Sequence, residues 1–166
     1  MDEALLIARL IFGLGIAAHG AQKLFGWFGG HGIAGTGGFM ESMGYKPGKL
    51  FALGAGLGEF GGGVLLALGL LGPIGPALMV IVMLVAIFTV HISKGFFAPA
   101  GVEMPLLYIG SALALAFTGF GAFSLDAAFG LSVLPGARMT WTVFAAAVVL
   151  AILNLLARRR APQPAP

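Results

Sequence analysis

The 166-residue chain is 59% hydrophobic and only 9% charged, with a mean hydropathy of +1.03, a makeup that excludes an ordinary water-soluble domain and marks an integral membrane protein. Its net charge of +3 does not point to nucleic acid, because the cations stand at the ends of apolar runs, where they set orientation. With no cysteine, disulfides, thiol exchange, Fe–S clusters and thiolate metal sites are excluded, and no other metal-ligand set is apparent.

At about 20 apolar residues per spanning helix there is room for about five spans and for no separate soluble domain. The start, MDEALLIARL, lacks the basic region and cleavage site of a signal peptide, so the first apolar run is expected to stay in the protein. Span one covers residues 4–25, with Trp27 and Phe28 following at an interfacial belt. Residues 29–49 are rich in glycine and polar groups, and 36–44 reads as a short amphipathic helix with Thr36 as N-cap and Gly44 at C′. Pro47 suits the first turn of the next helix.

Span two, residues 50–71, repeats Gly54, Gly58 and Gly62 at four-residue spacing, a face that another helix or a second subunit can approach closely. Residues 56–61 also spell GxGxxG, but no strand precedes them, so they read as a packing seam. Span three, residues 77–92, ends in His91 and Lys94. A short connection carrying Glu103 leads to Pro105, which opens span four, running to residue 120 with Tyr108, Ser111, Leu115 and Thr118 as a mildly polar stripe. The expected organisation is a four-helix transmembrane bundle over residues 1–126, then an interfacial segment and fifth span over 127–157, then a basic cytoplasmic tail over 158–166. The fold class is therefore all-α and polytopic.

If the C-terminus is cytoplasmic, five spans leave the N-terminus outside. Lys23, Lys46, Lys49, Lys94 and Arg158 to Arg160 then fall inside, and only Arg9 and Arg138 outside. In this topology His19 and Lys23, four residues apart, share a face at the inner end of span one. His91 and Lys94 close span three, Glu103 opens span four at the same level, and Glu59 lies roughly 14 Å into span two. An unpaired charge in the bilayer costs about 2.5–3.5 kcal/mol, so the groups are expected to pair: Glu59 with His19 or Lys23, and Glu103 with Lys94 or His91. The plainer readings are that Lys23, Lys49 and Lys94 snorkel, that Glu103 only answers the helix dipole, that the Tyr108 stripe is packing, and that Arg158 to Arg160 mark topology.

The pieces RLIFGLGIAAHGAQKLFGWFG, GTGGFMESMGY, GEFGGGVLLALGL, the His91 end of span three and VEMPLLYIGSALALAFTGFGAFSLD, in that order over residues 9–126, make the chain resemble the DoxX family of small bacterial membrane proteins. The family's first-helix His-Gly-x-x-Lys is matched by His19, Gly20 and Lys23, its second-helix acid by Glu59, its third-helix histidine by His91 and the acid before its fourth helix by Glu103. Typical members look like four-helix bundles, so the fifth span departs from the pattern. The resemblance implies a subunit of a redox complex in the bacterial inner membrane, akin to the membrane part of thiosulfate:quinone oxidoreductase.

Three functions are consistent with these residues. In the first, a quinone binds in the polar pocket, with His19, Lys23, Glu59 and His91 moving protons or stabilising a quinol oxygen, and Gln22, Lys94, Glu103 and Tyr108 completing the binding site. In the second and less favoured, His19 and His91 are axial ligands of a b-type haem. In the third, the protein is a small-solute carrier or a non-catalytic scaffold, docking a larger partner through the glycine seam or the fifth helix.

Overall fold

The computed structural model describes residues 1–97, 99–131 and 136–159, and among the described residues the regular structure is helical throughout. The α-helices are α1 (Asp2–Phe25), α2 (Gly32–Ser42), α3 (Gly48–Leu68), α4 (Ile74–Ala86), α5 (Glu103–Thr118), α6 (Leu125–Ala128) and α7 (Ala137–Leu156). A 3-10 turn, Trp27–Gly29, follows α1, and α4 runs on through a π-helical turn, Ile87–His91, and a 3-10 turn, Ile92–Lys94. Helices α1, α3, α7 and α4 with its extension are long and apolar enough to cross a membrane. Ile11, Leu14, Leu57, Phe88 and Leu153 stand exposed on them, the outer girdle of a multi-pass membrane protein.

The expected fourth span is present as α5, shifted by two residues, and it is short for a membrane crossing. At 1.5 Å per residue, the 16 residues of α5 rise about 24 Å, less than the roughly 30 Å of a hydrocarbon core. Gly119 and Gly121, both at positive φ, end the helix. The chain then folds back, burying Phe120 and opening α6 with Ser124 as a side-chain N-cap.

Glycine decides how the helices pack. A Cβ on Gly20 of α1 would sit 2.7 Å from the Phe60 Cα of α3, and one on Gly13 would sit 2.7 Å from the Gly63 carbonyl oxygen, so the two backbones touch along this line. On another face of α3, Gly58 and Gly62 are buried against α4, while Gly54 has no neighbouring atom within 4 Å of its Cβ position. Two members of the predicted seam thus pack inside the chain. Helix α7 packs on α4 and sends Phe144 and Ala147 into the core beside Ile16, Met79 and Leu115, so it is an integral wall of the bundle.

Hydrogen bonds tie each end of the bundle. At one end the Asp2 carboxylate accepts from the Ala122 N–H at 3.1 Å, and Asp126 accepts from Leu71 and Gly72 at 2.9 and 2.8 Å. At the other, Arg158 Nε donates to the Met43 carbonyl at 2.5 Å and the Arg159 N–H to that of Gly44 at 2.9 Å. The long helices therefore alternate in direction, and Lys23, Lys46, Lys49, Lys94, Arg158 and Arg159 gather at this second, basic end. Arg160 and the rest of the expected tail, like residues 132–135 of the interfacial segment, lie outside the described residues.

Two expectations are corrected. Arg9 is not one of the cations that stand at the ends of apolar runs to set orientation: it is fully buried, its Nη2 donates to the Phe123 carbonyl at 2.6 Å, and its guanidinium lies 5.8 Å from the Phe120 ring centre. Among the described residues its Nε and Nη1 have no partner. Thr36 is not an N-cap either, because the glycine-rich turn after α1 reverses the chain at once and α2 starts at Gly32. The far end of α2 is as expected, with Gly44 at φ 95° and the Tyr45 N–H on the Met40 carbonyl at 3.0 Å.

Candidate functional site

At the basic end the last turns of α1, the first half of α3, the end of α4 and the first turns of α5 surround a cavity of about 290 Å³. Helix α2 roofs it with Thr36, Phe39 and Met40, together with its C-cap residue Met43. The short amphipathic segment therefore presents its apolar face to the bundle.

The spacing of four between His19 and Lys23 puts both on the cavity side of α1. Lys23 forms an ion pair with Glu59, which α3 carries into the cavity wall at a depth where its side chain is 4% exposed, against 26% for Lys23. One expected pairing is thus present. His19 stands edge-on to Tyr108 of α5 with ring centres 6.3 Å apart, and Phe12 meets the same ring edge-on at 6.3 Å. Gly15 makes room for that phenol, since a Cβ there would lie 2.8 Å from its hydroxyl.

His91 lines the cavity from the π-helical turn, together with Thr89, whose hydroxyl donates to the Val85 carbonyl at 2.7 Å. A π turn widens the helix locally and re-aims the residues that follow it. The Nδ1 of His91 donates to the Ala100 carbonyl at 2.6 Å, which fixes the ring and leaves Nε2 for a ligand or a proton.

The other predicted residues stand apart from the cavity lining. Gln22 donates to the Phe28 carbonyl at 3.1 Å, and Lys94 is exposed. Glu103 is half-buried and, among the described residues, makes no ion pair with Lys94 or His91, contrary to expectation. The connection explains why. Gly95, at φ 82°, turns the chain after Lys94, and the loop closes through its backbone, with the Val102 N–H on the Gly95 carbonyl at 3.1 Å and the Glu103 N–H on that of Phe96 at 3.4 Å.

Sequence reasoning missed the roof and Thr89. The roof had a signal, because Phe39, Met40 and Met43 lie at helical spacing along one face of α2 and its C-cap. The π turn had none.

Fold and site define a polytopic helical membrane protein with a largely apolar cavity between its helices, into which a buried ion pair projects. The chain belongs to the DoxX family, whose model matches residues 4–92, just over half its length. That match includes His19, Lys23, Glu59 and His91, and ends before Glu103, Tyr108 and α7. No curated protein and no solved structure matches the chain.

Proposed function

We propose that the protein is the membrane subunit of a redox complex in the bacterial cytoplasmic membrane, oriented N-out/C-in, and that its cavity binds the ring of a quinone. One observation carries this reading: among apolar walls such as Phe39, Met83 and Met104, the cavity presents a buried carboxylate paired with an ammonium, flanked by two imidazoles and a phenol. An apolar cleft with a few convergent polar groups suits a small ligand of mixed character. At about 290 Å³ it matches a ring system. A haem held between His19 and His91 is the weaker fit, because a porphyrin needs more room.

Reduction of a quinone to its quinol takes two electrons and two protons. The electrons come from a partner redox protein. His91 Nε2, His19 and the Lys23–Glu59 pair are placed to pass protons, and the Lys23 ammonium to stabilise charge developing on a quinone oxygen. Orientation follows from the basic end, which carries six of the described cations and faces the cytoplasm under the positive-inside rule.

The test is binding of a short-tailed ubiquinone to the purified protein in lipid nanodiscs. The triple variant His19→Ala, Glu59→Gln, His91→Ala should bind at least about tenfold more weakly. Unchanged binding would falsify the assignment. Stoichiometric copurification with a neighbour but no quinone binding would make the chain a scaffold.

A further inference from the structure

A second cavity, of about 170 Å³, lies on the other side of the α3 and α4 pair, lined by Tyr45, Phe51, Gly54, Ile81 and Asn154. It shares Met40, Ala55, Val82 and Val85 with the first, so one layer of side chains divides them. Resting on the quinone reading above, we infer that this second cavity holds the isoprenoid tail of the ligand whose ring occupies the first, the tail passing under Met40 and leaving to the lipid beside Gly54.

Three features support that route. The dividing layer can part on its Met40 and Ala55 side, since Ala55 is small and Met40 is an unbranched thioether that changes rotamer readily, while the β-branched Val82 and Val85 form its stiffer side. The outer rim is open: Gly54 is exposed with no atom within 4 Å of its Cβ position, and the neighbouring Leu50 and Leu57 are 62% and 53% exposed. Helix α7 packs on α4 and contributes only Asn154 to the lining, which leaves the α3 side facing the acyl chains.

Lipid and protein interior are about equally apolar, so a tail gains little by moving from one to the other. The passage acts sterically. It lets a ring reach the ion pair while its tail stays continuous with the bilayer, and closing it should exclude long-tailed quinones without weakening tailless ones.

Gly54→Leu tests this, because a Cβ there meets no atom within 4 Å, so the helix backbone accepts a side chain whose far end can fill the open rim of the cavity. In nanodiscs the variant should bind a long-tailed ubiquinone at least about tenfold more weakly than the parent while binding of a tailless analogue stays unchanged. Equal binding of both probes to parent and variant overturns the tail route and leaves the ring site standing. Failure of the parent to bind the tailless analogue overturns the quinone reading itself. As a second measurement, a ubiquinone with a diazirine on its tail should label peptides containing Tyr45 to Ala55 or Asn154, and labelling confined to α1 and α5 overturns the route.

Discussion

The Lys23–Glu59 pair is asymmetric, and the asymmetry sets what each substitution does. Lys23, at 26% side-chain exposure, reaches towards water, so in Glu59→Gln it can snorkel outwards; removing it strands a carboxylate that is 4% exposed. Lys23→Met is therefore expected to cost about 3 kcal/mol and Glu59→Gln about 1 kcal/mol. The double variant should recover part of the loss, as thermal unfolding in detergent would show. If Glu59→Gln proves the more damaging, the pair is not held as described. This pairing was legible in the sequence because two opposite charges inside apolar spans have few other ways to be tolerated. Arg9 was not legible, since its partner is a backbone carbonyl 114 positions away, and nothing in the spelling of α5 and α6 announces it.

The helix contacts rest on bare backbone at chosen points, and neighbouring glycines differ sharply in what they permit. Gly20→Ala drives a methyl group into the Phe60 backbone and should destabilise by about 1–3 kcal/mol or more. Gly61→Ala meets no atom within 4 Å and should be neutral or stabilising by about 0.5–1 kcal/mol. A comparison of their melting temperatures decides it. The roof depends on a different kind of contact. Its C-terminal turn is held by Arg158, while burial holds the nearby Tyr45 hydroxyl above the usual phenol range and the Arg158 charge pulls it back. Arg158→Ala should raise hydrogen exchange over residues 39–45 and leave the buried part of α3 protected; unchanged exchange there would show that the clasp does not hold the roof. Residues 158–160 read as a topology signal because three arginines after an apolar run satisfy that rule completely. The second use of Arg158 and Arg159 depends on α7 ending beside α2, which only the assembled bundle shows.

At the scale of the whole molecule, the alternation of long helices places the Met1 end and the Arg158 end on opposite faces. The absence of native cysteine makes this easy to test. With intact cells, Ala128→Cys should react with a membrane-impermeant maleimide and Lys46→Cys only after permeabilisation; the reverse pattern would invert the proposed orientation. The all-helical, polytopic character was legible because lipid leaves few other solutions to so apolar a chain. The end of α5 was legible to within two residues, but hydropathy does not say that Gly119 and Gly121 turn the chain back over the bundle to bury Phe120. Helix α7 read as an appendage for a related reason: its apolar pattern does not say that Phe144 and Ala147 complete the core.

The buried arginine of α1 also bears on the order in which the protein is made. Its carbonyl acceptor leaves the ribosome 114 residues later, about ten seconds at typical synthesis rates. Until then the nascent first helix carries a cation that has not met its acceptor, at an insertion cost of about 2.5–3.5 kcal/mol. Maturation of that helix is therefore tied to the arrival of the segment around Phe123, and a chain stalled before that point leaves its earliest span unsettled.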